Sequence, residues 1–258
     1  MMQAPAKIEI KNLSKSFGGK TVLDGLNLRV PDQSSMVVIG GSGTGKSVLI
    51  KCITGILEAD DGEILIDGED ILALSPRDRD ALTGRIGMLF QGSALFDSLP
   101  VWENVAFGLM QARGLGRRQA RDIAVEKLAQ VRLGPEVANL MPAELSGGMQ
   151  KRVSLARAIA GDPEIIFFDE PTTGLDPITA HVIDNLIVES VRSLSATTLS
   201  ITHDMPSVRR IADRVAMLHS GAIVWNGPVG TLDESGNDFV DQFIHGRADG
   251  PIQMELRR

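Results

Sequence analysis

One cysteine, Cys52, stands in 258 residues. That scarcity excludes both a disulfide framework and a cysteine-based zinc site, and it suits a reducing, cytosolic setting. Long apolar runs are missing too. No stretch approaches the roughly 18 uncharged apolar residues that a membrane-crossing helix needs. The opening Met1-Met2-Gln3-Ala4-Pro5-Ala6-Lys7 is too short and polar for a secretory signal. If the protein works at a membrane, another subunit is expected to provide the passage. Positive charge is not in excess: the formal net charge is −7, which argues against nucleic acid or anionic lipid as a broad electrostatic partner. Internal repeats and low-complexity tracts are absent as well.

What is present points to an α/β fold. Hydrophobic residues make up 43% of the chain, enough for one large domain or a core with a subdomain inserted in it. Short strands rich in Val and Ile alternate with helical patterns, which predicts a mainly parallel sheet. The first thirty residues read as β structure. Lys7 to Lys11 alternates, and a run from Val22 to Val30 places Val22, Leu26, Leu28 and Val30 on one face. Ser35 to Ile39 is a short apolar run, and Leu49, Ile50, Ile53 and Leu57 recur at helical spacing after Lys46. Gly62 to Gly68 is a strand ending in an Asp-Gly turn, and Ile86 to Phe90 is a buried-type strand. No strong strand follows between about Trp102 and Glu144, where Asn104–Arg113 and Gln119–Arg132 look helical. A helix over Met149–Ala160, a strand over Ile165–Phe168 and a helix over Pro177–Leu194 come next. The last has Asp176 as N-cap and Pro177 in its first turn. A strand from Thr197 to Thr202, a hairpin around Ser220-Gly221 and a polar tail complete the chain.

Three motifs carry chemistry. Gly40-Gly41-Ser42-Gly43-Thr44-Gly45-Lys46-Ser47 has the phosphate-loop pattern and lies between a strand and a helix. Its glycines let backbone N–H groups turn toward phosphate, and the helix N-terminus adds its dipole. Lys46 is placed to reach the β- and γ-phosphates, and Ser47 to ligate Mg²⁺. Next, the apolar strand Ile165–Phe168 ends in Asp169 and Glu170. Ligands bind at the carboxyl ends of strands in open α/β sheets, so Asp169 fits a metal-holding role. Alternation along the strand sends Glu170 to the other side, free to activate water. Finally, Leu145-Ser146-Gly147-Gly148-Met149-Gln150-Lys151-Arg152 starts a helix with serine and two glycines, a second helix terminus suited to an anion.

Together the three motifs resemble the ATP-binding cassette (ABC) ATPases, and the resemblance covers nearly the whole chain. It implies a RecA-like P-loop NTPase core with an N-terminal antiparallel β subdomain and an inserted helical subdomain, here at about 92–160. The domain is then expected over 1–245 and a C-terminal tail over 246–258. It also implies site roles. Phe17 stacks on adenine, Gly40 through Val48 cradle the phosphates of ATP, and Gln91 senses Mg²⁺ and the lytic water. His203 meets the γ-phosphate, and the Gly174-Leu175-Asp176-Pro177 loop crosses to the opposite subunit. Two copies pair head to tail, so that Ser146, Gly147, Gly148 and Met149 close over the partner's ATP in a homodimer.

Three details are similar to the Mla phospholipid-transport ATPases: Met149 in place of glutamine, the segment Leu89 to Leu99 around Gln91, and the tail from Gln242 through Asp249-Gly250-Pro251 to Ile252. That likeness implies a cassette on the cytoplasmic face of the inner membrane, attached only through an integral-membrane permease. A periplasmic MCE-domain protein and a small STAS-domain protein are implied partners; nucleic acid is not. The groove between the helical insert and the Gln91 loop would receive the permease, with Gln91–Leu99 as relay. Two other classes stay open, a cassette for another solute and a soluble ABC-type machine. The arginines Arg113, Arg117, Arg118 and Arg121 read best as a solvated helix face, and Trp102 and Phe107 as packing within the insert.

Overall fold

The computed structural model of the chain describes residues 5–253. The first four residues and the last five of the expected tail lie outside that range. Contacts divide the chain into two units, Met1–Leu72 with Ile201–Arg258, and Ala73–Ser200.

The first unit opens with β1 (Ala6–Phe17) and β2 (Lys20–Pro31), an antiparallel pair turned at Gly18-Gly19, both with positive φ. β3 (Ser35–Ile39) feeds the glycine cluster and α1 (Lys46–Ile53) follows it. β4 (Asp61–Ile66) pairs antiparallel with β1, and the short β5 (Glu69–Asp70) turns back on β4 through Asp67-Gly68. In β2 the buried residue beside Leu26 is Leu23, at 0% exposure, and Val22 is only half-buried. Strict alternation fails there because β2 spends three steps, Leu26 to Leu23, against two in β1, Leu13 to Lys15. Gly25, at φ 56, absorbs the extra residue as a bulge and inverts the parity of the strand.

The second unit comprises α2 (Pro76–Thr83), β6 (Ile86–Leu89), α3 (Val101–Arg113), α4 (Arg117–Gln130), α5 (Gly147–Ile159), β7 (Ile165–Asp169), α6 (Pro177–Leu194) and β8 (Thr197–Ile201). β6 and β7 pair parallel, in the order β8-β7-β6. Every residue of β7 is buried, and Phe167 and Phe168 are fully so. Such a strand, apolar on both faces, is what a covered parallel sheet requires. α5 lies hard against β6: a side chain at Gly87 would come within 2.1 Å of the Ala158 carbonyl. Asp176 caps α6, its carboxylate accepting from the Ile178 and Thr179 amides at 3.0 Å each.

The first unit resumes with α7 (Met205–Ile211), β9 (Arg214–His219), β10 (Ala222–Pro228) and α8 (Asp238–His245). β9 pairs parallel with β3 and antiparallel with β10, through a turn at Ser220-Gly221 with φ 47 and 82. That is the two-residue hairpin geometry with two left-handed positions. The tail beyond α8 folds back on it. The Gln242 amide donates to the carbonyls of Arg247 (3.2 Å) and Ile252 (3.1 Å) and accepts from the Ile252 amide at 2.7 Å. A side chain at Gly250 would strike Gln242 at 2.5 Å, so the Asp249-Gly250-Pro251 turn needs its glycine.

Candidate active site

In the first unit the phosphate loop is built from its own backbone. Gly40 (φ 154) passes so close to β9 that a side chain there would sit 2.3 Å from the Leu218 carbonyl. Gly45 (φ 103) is hemmed in by Val22, at 2.9 Å from its carbonyl. Thr44 Oγ1 donates to the Gly41 carbonyl at 3.0 Å. Lys46 begins α1, only 8% exposed, and its Nζ donates to the Gly40 and Gly41 carbonyls at 2.9 and 2.7 Å. A positive charge is thus fixed inside a turn of amides at a helix start, the arrangement that accepts a phosphate chain. Ser42 and Gly43 are exposed, and Ser47 and Val48 half-buried. Phe17 ends β1 with its ring 46% exposed and the Lys15 ammonium 5.5 Å from its centroid. His203, exposed, follows β8 just before α7.

The second unit holds the acidic strand end, Gln91 and the serine-glycine helix start. Asp169 is the last residue of β7 and 8% exposed. Glu170 does not continue the strand. It adopts a left-handed conformation, φ 51, so its direction comes from a turn and not from strand alternation. Thr173 stabilises that turn, its amide donating to the Glu170 carbonyl at 3.3 Å and its hydroxyl to Glu170 Oε2. Ser146 caps α5, accepting from the Met149 amide at 3.3 Å. Gly147 and Gly148 make the first turn, and a side chain at Gly148 would meet Thr179 at 2.9 Å. Asp176 is exposed. The Thr179 hydroxyl, then the amides, holds its carboxyl below the ordinary range.

Four residues that sequence reasoning passed over organise the segment after Gln91. Lys151, on α5 and 5% exposed, donates to the Gln91 carbonyl and lies 3.5 Å from the Glu170 carbonyl. Burial pushes its pKa down, against the pull of the Asp169 and Glu170 carboxylates. Three and six residues on, Ser154 Oγ donates to the Ser93 carbonyl at 3.1 Å, and Arg157 donates to those of Ser93 and Ala94 at 2.7 Å each. Ser93 and Ala94 are both left-handed, φ 61 and 48. Asn104, fully buried on α3, accepts from the Phe96 amide at 2.7 Å and donates to the Phe96 and Leu99 carbonyls at 3.1 and 2.8 Å. The available signal was a polar stripe, Lys151, Ser154 and Arg157, at helical spacing on an otherwise apolar face.

The same unit contains a groove of about 940 Å³ whose walls include Phe90, Ala94, Phe96, Phe107, Leu109 and Arg157. Phe96 is 43% exposed and stacks on Phe107 at 4.6 Å between ring centres. The arginines of the insert are less idle than a solvated face. Arg117 stacks on Trp102 at 4.9 Å and pairs with Glu103, Arg113 donates to the Gly161 carbonyl at 2.7 Å, and Arg121 reaches Asn139 at 3.0 Å.

A phosphate loop with a buried lysine, an acidic strand end and a capped Ser-Gly-Gly helix start define the ABC-type ATPases, and the ABC transporter family profile matches residues 23–173. The chain belongs to that family and is an ATP-binding subunit of an ABC transporter. It is 42% identical to the intermembrane phospholipid transport system ATP-binding protein MlaF of Haemophilus influenzae, over 96% of this chain and 94% of that one. It is also 40% identical to the probable ribonucleotide transport ATP-binding protein mkl of Mycobacterium leprae, over 96% of this chain and 71% of that one. Among solved structures, a dimeric ATP-binding cassette in a post-hydrolysis state with ADP and Pi superposes with a TM-score of 0.79. It is 30% identical, covering 86% of this chain and 98% of that one. The expected ABC ATPase fold is therefore the observed one. No helix of the described residues is long and apolar enough to cross a membrane.

Proposed function

We propose that two copies of this chain close around two ATP molecules and that their opening and closing drives a permease that moves phospholipid between two membranes. Similarity to MlaF over nearly its entire length is the observation that carries the cargo. The mkl relative supports a ribonucleotide reading at similar identity, but this chain spans less of it. The folded turn at Gly250 adds to the lipid reading, because it gives the Asp249-Gly250-Pro251 signature a structural role.

The site residues then take these parts. Lys46 and the amides of Gly40–Val48 hold the phosphates, Phe17 the adenine, and His203 the γ-phosphate. Ser146, Gly147, Gly148 and Met149 cover the nucleotide of the second copy, with Asp176 on the crossing loop. A hydroxyl, a carboxylate and an amide oxygen are hard donors suited to Mg²⁺, and Ser47, Asp169 and Gln91 would hold it. When bound, that ion would neutralise phosphate charge. Glu170 accepts the proton of the attacking water, and Gln91 orients that water. Loss of the γ-phosphate contacts then releases the two copies. The groove beside Phe96 and Phe107 suits a helix of the permease, and the Gln91–Leu99 segment on its wall is the relay. An MCE-domain protein and a STAS-domain protein complete the implied assembly on the cytoplasmic face of the inner membrane.

Purification of the intact membrane complex tests the reading. Co-purifying phospholipid and an MCE-domain protein are expected, with ATP-driven transfer of labelled phospholipid in proteoliposomes. A complex that moves labelled nucleotide instead, or that carries a soluble solute-binding protein, would reject the lipid assignment.

A further inference from the structure

Lys151 has no part in the scheme above, yet it joins two of the residues that do. It leaves α5 one turn after Ser146 and carries its ammonium into a site 5% exposed. There it donates to the carbonyl of Gln91 and lies 3.5 Å from that of Glu170. We propose that Lys151 is a positioning residue for hydrolysis, one ammonium that fixes the backbone of Gln91 and of Glu170 in a single register.

Packing alone does not call for a charge at that place. A methionine would fill the same stem at no desolvation cost, whereas a buried ammonium must recover its lost water from neighbouring dipoles and carboxylates. Here those neighbours are the two carbonyls and the carboxylates of Asp169 and Glu170. Glu170 sits in a left-handed conformation unfavourable to any side chain with a Cβ. A cation facing its carbonyl favours that conformation, and the conformation sets where its carboxylate points. At the other end the Gln91 turn is not free to drift. Ser154 and Arg157 hold the carbonyls of Ser93 and Ala94 from the same face of α5. The loop therefore rides on α5, and Lys151 is the point where that rigid assembly touches the strand end bearing the base.

The proposal rests on the roles given above to Glu170 and Gln91, and its test separates the two layers. Steady-state ATPase and fluorescent-ATP binding are measured for Lys151→Met, Lys151→Arg and Glu170→Gln, beside thermal melts. For Lys151→Met, kcat is expected to fall about 10–100-fold while KM and the nucleotide Kd stay within about threefold. Lys151→Arg, whose guanidinium can donate to both carbonyls, should return kcat to within about fivefold of the parent. In the nucleotide-free protein, hydrogen exchange of amides 91–94 and 172–173 should quicken about tenfold in the methionine variant and not in the arginine one. If Lys151→Met does not fold, Lys151→Gln takes its place, with kcat expected to fall about 5–30-fold. A kcat within twofold of the parent for the methionine or glutamine variant overturns the proposal, as does an arginine variant no better than either. Should Glu170→Gln itself turn over normally, the base assignment falls instead.

Discussion

Two loops of this protein are held in opposite ways. The phosphate loop of the first unit is held by hydrogen bonds within itself and by the close approach of β2 and β9. Its lysine and threonine bond to carbonyls within six residues, at Gly40 and Gly41, and its unusual dihedrals fall on glycines, Gly40, Gly43 and Gly45. The Gln91 loop of the second unit has no such economy. Its left-handed positions are Ser93 and Ala94, which resist that conformation. Side chains 60 to 64 residues along the chain, from Lys151 to Arg157, grip its carbonyls. A loop whose positive-φ positions are glycines reaches its shape at little backbone cost. A loop held by a helix moves when that helix moves, as the relay proposed for Gln91–Leu99 requires.

The comparison breaks most sharply at Lys46. Lys46→Ala removes the one buried cation of the phosphate loop, and ATPase activity is expected to fall about 10²–10³-fold. A steady-state rate within tenfold of the parent would refute its role. Gly40→Ala attacks the same loop through sterics. The new methyl meets a backbone oxygen at 2.3 Å, and backbone cannot step aside as a flexible side chain can. A loss of about 2–4 kcal/mol is expected, seen as a melting temperature lower by roughly 5–15 °C.

The second loop should fail differently, through its distant anchors. Asn104→Ala strips partners from the Phe96 amide and from the Phe96 and Leu99 carbonyls at once. Stability should fall by about 2–3 kcal/mol, while ATP affinity measured by fluorescence stays within about twofold because the phosphate loop is untouched. Equal damage to binding and stability would mean that the two loops are not separable.

This contrast also explains what could be read from the chain. The phosphate loop, the capped start of α6 at Asp176 and the apolar run Ile165–Phe168 of β7 are each contiguous, and their physics is local, so residue order alone exposes them. Helices α3 to α6 are long enough for periodicity to show. α7, with 7 residues, and α8, with 8, offer few turns, and no motif marks their starts as the phosphate loop marks that of α1. The parity of Val22 and Leu23 depends on a bulge that no alternation rule anticipates. Glu170 lies near Asp169 in sequence, yet its direction comes from a backbone turn that Thr173 holds. The grip of Lys151, Ser154, Arg157 and Asn104 on the Gln91 loop is a tertiary fact. Only the polar stripe along α5 hinted at it, and that stripe reads equally as exposed surface.

The smallest effect tests the contrast from the opposite side. Ala94 is exposed, and its left-handed backbone, φ 48, is maintained by the Arg157 bond to its carbonyl. Ala94→Gly removes a methyl that has no buried contact to lose and relieves the left-handed cost, while giving the unfolded chain more freedom. The two terms oppose each other, and at positive φ the relief is the larger. The expected result is a gain of about 0.5–1 kcal/mol, a rise of roughly 1–4 °C in melting temperature. The same exchange at a relaxed exposed site, where no left-handed strain exists, should lower stability instead. A loss at Ala94 would mean that Arg157 does not hold the loop in an unfavourable shape, and the contrast with the glycine-built loop would then rest on Ser93 alone.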